Sequence, residues 1–234
     1  MTGLDFPASL ADNNFVLMDP MCGSGTLAIE AALMMCNTAP GLFKYGLDAD
    51  NGSTRQAAAG RGKRTPPLPV SRWLNKNRDV DMEALWRDVY TRAVKADLRE
   101  KTGMKKKIYV NDIHPRAVEL AISGCESANV KHLIEFCCSD VHDLDLRDSG
   151  STLPKLIISN PPWDKRLDGE RVTDAWEALG DFAERNINDS GGQLWALSGN
   201  PSLPDHVRLP VAKRIEFSAA GMKLELIGHI IAPI

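Results

Sequence analysis

Phe15-Val16-Leu17-Met18-Asp19-Pro20-Met21-Cys22-Gly23-Ser24-Gly25-Thr26 is the stretch whose reading decides the fold, together with the Ala- and Met-rich run from Leu27 to Cys36 behind it. Four apolar residues in a row make a short buried strand, stopped by an acid and a proline. The run after Thr26 is rich in good helix formers. Strand, glycine turn and helix in that order form the first unit of a nucleotide-binding α/β fold. Glycine lets the backbone approach a ligand closely, and the start of the helix offers unpaired N–H groups.

Three ligands compete for such a turn. A phosphate-binding P-loop needs a lysine after its last glycine, and Thr26 follows Gly25 instead. A dinucleotide turn opens on glycine directly behind the strand, whereas Asp19-Pro20 intervenes here. An acid is awkward beside a pyrophosphate, but it suits a ligand with a cationic amino group, such as the methionine part of S-adenosylmethionine. The candidates for holding that ligand are Asp19, Met21, Cys22, Gly23, Ser24, Gly25 and Thr26. A G-x-G turn is a weak signal alone, so the later strands must carry the decision.

Lys105-Lys106-Lys107 leads into Ile108-Tyr109-Val110, a second strand ending at Asn111-Asp112, and Pro115 opens the helix after it. An acid after the second strand is the expected partner for ribose hydroxyls, with Ile113 beside it. The usual interval from the glycine turn is ~20 residues, which Asp48 and Asp50 satisfy and Asp112 does not. Asp112, however, has an apolar strand before it and a helix behind it. Residues 46–107 therefore read as an insert between the first helix and the second strand. Inside the insert, Met82, Leu85, Trp86, Val89 and Ala93 recur at helical spacing and predict an amphipathic helix of about 18 residues from Asp81. The rest of it, with Trp73, is loop-like and rich in Gly, Pro, Asn and Arg.

Ile134 to Cys138 forms a third strand that stops at Ser139-Asp140-Val141. The Asp140 carboxylate can accept from an adenine amino group, and Val141 can offer its N–H to the ring. The fourth strand, Leu156-Ile157-Ile158, runs into Ser159-Asn160-Pro161-Pro162-Trp163. Each proline fixes its own φ and lacks an N–H, so the loop presents carbonyl oxygens with little freedom to wander. Asn160 adds a side-chain acceptor and donor, and Trp163 a flat apolar face. Acceptors in a fixed plane, roofed by an aromatic, suit a planar group bearing an exocyclic –NH2. Asn160, Pro161, Pro162 and Trp163 are the candidate catalytic residues. Asp164 is the nearest acid for later proton removal, and Lys165 and Arg166 suit phosphate. A helix near Thr173–Asn188, a fifth strand Gln193–Leu197 and two strands, Arg214–Ser218 and Lys223–Ile231, complete the chain. The last two flank Ala219-Ala220-Gly221 as a hairpin. The expectation is a single α/β domain over residues 1–234, mostly parallel with an antiparallel C-terminal hairpin.

The 234 residues carry a net charge of −3, unevenly spread. Residues 51–107 hold 15 Lys and Arg against 6 Asp and Glu, which hints at a polyanion-facing segment or a solvated helix and loop. No apolar run approaches the ~20 residues needed to span a bilayer, and the N-terminus does not look like a secretory signal. Cys22, Cys36, Cys125, Cys137 and Cys138 are odd in number and form no C-x-x-C pair. A disulfide framework or metal site is not expected, and a reducing, cytoplasmic setting is. Cys22 suits ligand packing rather than nucleophilic attack, and the five histidines are scattered.

The order Asp-Pro-Met-Cys-Gly-Ser-Gly-Thr, Asn-Asp-Ile-His-Pro-Arg-Ala, Ser-Asp-Val, Ser-Asn-Pro-Pro-Trp resembles that of class I S-adenosylmethionine-dependent methyltransferases. More narrowly, the chain resembles RNA methylases that usually carry a THUMP domain, especially the bacterial large-subunit rRNA guanine-N2 methyltransferases. Leu156 to Leu167, Ala39-Pro40-Gly41-Leu42-Phe43 and Lys213 to Phe217 carry the narrower match, which covers about residues 15–231. The resemblance implies a Rossmann-like methyltransferase sheet, S-adenosyl-L-methionine as cofactor and RNA as substrate, with a separate RNA-binding domain or partner. It places Asp19, Gly23 and Gly25 round the methionine part, Asp112 at the ribose and Asp140 with Val141 at the adenine. Asn160 and the Pro161 carbonyl would bind the target amino group while Trp163 stacks on its ring. The family usually has tyrosine or phenylalanine at that last position.

Other readings use the same loop. An adenine-N6 methyltransferase would need it, and so would a protein-glutamine methyltransferase, whose substrate amide is also a planar –NH2. A non-catalytic or truncated methyltransferase-fold subunit is a reading of another class, and an organellar address goes with a chain that begins further upstream.

Overall fold

The computed structural model describes residues 15–39, 42, 82–100, 108–147, 152–163, 169–187, 189 and 191–233. Asp48, Asp50, Trp73 and Asp164 to Arg166, singled out above, lie outside the described residues. The chain divides into two compact units, Met1–Ala32 with Gly103–Ile234, and Leu33–Thr102.

The larger unit is built on a seven-stranded sheet. Its strands are β1 (Leu17–Asp19), β2 (Ile108–Asn111), β3 (Ile134–Cys137), β4 (Leu156–Ser159), β5 (Gly192–Ser198), β6 (Val211–Ala219) and β7 (Met222–Ile231). They lie in the order β3-β2-β1-β4-β5-β7-β6. β1 is only three residues long but pairs parallel on both sides, Leu17 standing opposite Ile108 and Leu156. A strand covered on both faces reads as continuously apolar, and Phe15, Val16, Leu17 and Met18 are all buried. β7 runs antiparallel to both β5 and β6, which gives the C-terminal hairpin.

From β1 the chain winds outward through β2 to β3, then returns to β4 on the other side and continues to β5. The winding reverses between β1 and β4. At such a switch point the loops leaving two neighbouring strands diverge and open a crevice beyond their carboxyl ends. The glycine turn and the Asn160 loop are the two loops that leave there.

Helix α1 (Thr26–Met35) follows β1, α3 (Pro115–Ser127) joins β2 to β3, and α4 (Gly169–Asn186) joins β4 to β5. α4 buries Val172, Trp176, Leu179, Phe182 and Ala183 along one stripe, against a core that includes Met18, Ile157 and Leu194. Gly25 sits where α1 starts. Its φ is +77°, and a Cβ there would stand 2.8 Å from the Ala121 Cβ on α3, so only glycine fits.

In the smaller unit, helix α2 (Met82–Ala96) is followed by Asp97, whose Oδ1 accepts from Thr38 Oγ1 at 2.7 Å. The Leu98 N–H donates to the Cys36 carbonyl at 2.8 Å, which ties the two ends of the described segment together.

Boundaries differ from the sequence reading where side chains gave no period to follow. α2 has 15 residues, beginning one residue after Asp81 and ending at Ala96. α4 begins at Gly169, four residues before Thr173, because Gly169, Glu170 and Arg171 offer no apolar position ahead of Val172. β6 begins at Val211 instead of Arg214: it is an edge strand exposed on both faces, so no alternation marks its start.

Candidate active site

The carboxyl ends of β1, β2, β3 and β4 frame one cavity of about 620 Å3. Met21 and Gly23 line it from the first loop, Asp112 and Ile113 from the second, Asp140 and Val141 from the third, Asn160 and Pro162 from the fourth. Four stretches read separately in the sequence are thus brought to one place.

Each loop is held by its own hydrogen bonds. The Gly23 N–H donates to Asp112 Oδ2 at 2.9 Å, and the His114 N–H donates to Asp112 Oδ1 at 2.9 Å. Asp112 is thereby oriented at the cavity edge with lone pairs to spare. The His142 N–H donates to Asp140 Oδ1 at 3.0 Å, and Arg185 at the end of α4 donates to the His142 carbonyl at 3.1 Å. Trp176 Nε1 donates to the Pro162 carbonyl at 2.8 Å, anchoring the proline loop to α4.

Several expected residues stand behind the lining rather than in it. Asp19 is 1% exposed, and its Oδ1 accepts from Ser159 Oγ at 3.0 Å and from the Met21 N–H at 3.3 Å. Burial pushes its carboxyl from the ordinary 3.8 up to about 7, opposed by those two hydrogen bonds and aided by the Asp112 charge. Ser159 precedes Asn160, so this buried pair ties the root of the glycine turn to the root of the proline loop. Cys22 is buried, and burial followed by the Asp19 charge pushes its thiol up to about 12, which suits packing and not attack. Ser24 and Thr26 are exposed and face each other, Oγ to Oγ1 at 3.3 Å. Gly25 supports the helix start, and Pro161 is buried.

Trp163 is half-buried and packs on the core cluster. Its Nε1 donates to Asn160 Oδ1 at 2.8 Å. The ring rests on Gly199, where a Cβ would come within 2.4 Å of the indole. The indole therefore meets Asn160 edge-on in this structure, and its face is not part of the cavity lining.

Sequence reasoning missed Asn111 at the end of β2, Pro20, His114 and His142 on the loops, and Arg171, Asp174, Ala175 and Ala178 on α4. The last four had a signal: they are spaced i, i+3, i+4 and i+7, one face of a helix.

The family described as "RMKL-like, methyltransferase domain" matches residues 8–226. The chain belongs to that family. A curated relative of this methyltransferase domain, "Ribosomal RNA large subunit methyltransferase K/L" of Shewanella frigidimarina, is 29% identical over 205 residues, 87% of this chain and 24% of the relative. The chain spans about a quarter of the length of the curated relatives it matches. Among solved structures, a possible methylase from Clostridium difficile superposes with a TM-score of 0.66 at 24% identity, over 94% of this chain and 48% of that one. SMU.472, solved in complex with SAH, gives 0.65 at 19% identity, over 100% of this chain and 54% of the other. Both share the class I methyltransferase fold with this domain.

The donor used by a class I methyltransferase domain is S-adenosylmethionine, and the residues round the cavity fit it. Two carboxylates, Asp112 and Asp140, face the cavity as acceptors for hydroxyl and amino groups. Ile113, Val141, Pro162, Ala175 and Ala178 supply apolar wall for a flat ring. A Cβ at Gly23 would meet nothing within 4 Å, so the turn leaves open space for a ligand's approach. A cavity of this size holds a ligand of nucleoside dimensions.

Proposed function

We propose that this methyltransferase domain transfers a methyl group to an exocyclic amino group of RNA, guanine N2 of ribosomal RNA. One observation carries the reading: Gly23 and Asn160 line the same cavity, at the adjoining ends of β1 and β4. A donor cradled by the glycine turn and an amino group held by Asn160 then lie within one enclosure. The naming of the curated relatives supports ribosomal RNA as the substrate, and the basic insert between the first helix and the second strand agrees with a polyanionic partner.

S-adenosylmethionine, when bound, supplies a methyl group on a positively charged sulfur. The chain supplies position and polarity. An amino group on an aromatic ring is a poor nucleophile because its lone pair is delocalised into the ring. Asn160 Oδ1 and the Pro161 carbonyl accept from its two N–H groups, which favours pyramidalisation and points the lone pair away from the ring. The Trp163 indole holds one lone pair of Asn160 Oδ1, so an amino group entering there competes with that N–H and can release the ring. The released indole then offers its face to the base, offsetting part of the cost of unstacking it. No strong base is needed before transfer, because the N–H becomes acidic only as the N–C bond forms and the S–C bond breaks, and its proton then passes to solvent.

The test uses ribosomal RNA from cells lacking the protein, incubated with purified protein and labelled S-adenosylmethionine, and then digested to nucleosides. Label in N2-methylguanosine is the expected result. Label in 6-methyladenosine would overturn the guanine assignment, and label confined to protein would overturn RNA as substrate.

A further inference from the structure

We propose that Asn111 is the positioning residue that sets the spacing between the two halves of the donor cavity. Asn111 ends β2, is 1% exposed and forms part of the cavity lining. Its Nδ2 donates to the Pro20 carbonyl at 3.0 Å and to the Ser139 carbonyl at 2.9 Å. Its Oδ1 accepts from the Ser139 N–H at 3.0 Å, and its own carbonyl accepts from the Cys22 N–H at 2.8 Å.

These bonds reach the turn after β1 and the loop after β3 from a single residue, three of them from its side chain. Pro20 lies 91 residues away in sequence and Ser139 lies 28 away. Met21 and Gly23 follow Pro20 on the methionine side; Asp140 and Val141 follow Ser139 on the adenine side. A ligand that touches both sides gains affinity when their separation is fixed beforehand, because binding then orders nothing.

The side-chain type matters. An amide offers two N–H donors and an acceptor in one plane, and all three are used here. Aspartate keeps only the acceptor and adds a carboxylate beside Asp112. Alanine leaves the Pro20 carbonyl and both Ser139 backbone groups without their partner.

This inference rests on the donor placement proposed above, and its test separates the two. Dissociation constants for S-adenosylhomocysteine and for adenosine are measured by calorimetry on wild type, Asn111→Ala and Asn111→Asp, each well below its own melting temperature. Adenosine reaches only the ribose and adenine sides, whereas S-adenosylhomocysteine spans both halves. If Asn111 sets the spacing, the preference for S-adenosylhomocysteine over adenosine shrinks at least tenfold in Asn111→Ala. Asn111→Asp, which keeps the acceptor for the Ser139 N–H, carries the same test where the alanine variant does not fold. Equal losses for the two ligands, or none, in a folded variant would overturn the clamp alone. Wild-type protein that fails to bind S-adenosylhomocysteine would overturn the donor site and the clamp with it.

Discussion

Trp163 Nε1 donates to Asn160 Oδ1 at 2.8 Å, so the chain itself takes up one of the two lone pairs on the acceptor proposed for the target amino group. The incoming amino N–H must compete with the indole N–H for that lone pair or use the other beside the ring edge. Phenylalanine keeps a stacking face and lacks the donor. Trp163→Phe is therefore expected to lower KM for RNA by about 2- to 10-fold, the worth of one net hydrogen bond, with kcat little changed. Steady-state kinetics on undermethylated RNA check this, and a raised KM would show that the contact helps substrate bind.

Asn160→Ala removes the side-chain acceptor but leaves the Asp112 and Asp140 loops untouched. Methyl transfer should fall by at least about a hundredfold, as when one preorganised polar group is lost from a reacting centre. Binding of S-adenosylhomocysteine should stay within about threefold of wild type, since the proposed donor contacts lie on Gly23, Asp112 and Asp140 and not on Asn160. Single-turnover transfer and calorimetry together read the two effects.

The two glycines of the turn should fail differently. Gly25→Ala meets the Ala121 Cβ at 2.8 Å with φ at +77°, so it is expected to cost about 1–3 kcal/mol of stability in urea unfolding. Gly23→Ala, at φ +52° with open space round it, should be milder for stability and harsher for donor affinity. A reversal of that order would contradict the placement of the cavity.

Asp19 makes stability depend on pH. Its carboxyl rises from 3.8 in the unfolded chain to about 7 in the folded one, first through burial. The folded state therefore holds a proton that the unfolded state has released. Asp19's contribution is fully present below pH 4 and is lost as pH rises through about 7. Asn at this position keeps an acceptor for Ser159 and Met21 without the charge. Asp19→Asn should raise the melting temperature relative to wild type at pH 8, and the gain should shrink as pH falls below about 7 and vanish only towards pH 4. Thermal unfolding at the two pH values decides it.

The parts of the site that the sequence made legible are those written in consecutive residues. The glycine turn, Asp112 behind a strand and Asn160-Pro161-Pro162 each carry their chemistry within a few positions, and the sheet brings all three to one cavity. Asn111 was not legible because its hydrogen bonds run from the end of β2 to two loops far from it in sequence. A tryptophan in the sequence shows a flat face but not where its N–H is aimed, although Asn160 stands only three residues away. On the α4 face only Arg171 precedes Thr173; Asp174, Ala175 and Ala178 lie within the helix the sequence predicts, but small and polar side chains do not show which way that face turns. Apolar periodicity locates a helix by what it buries, and α4 offers no apolar position until Val172.

A crystal structure with sinefungin, whose amine stands where the transferable methyl lies in S-adenosylmethionine, probes the meeting of donor and acceptor most directly. The adenosine should lie against Asp112, Ile113 and Asp140, with the amine aimed at Asn160 and the Trp163 indole withdrawn from it. Sinefungin bound elsewhere, or with its amine turned to the rim away from Asn160, would contradict the shared cavity on which the methyl transfer depends.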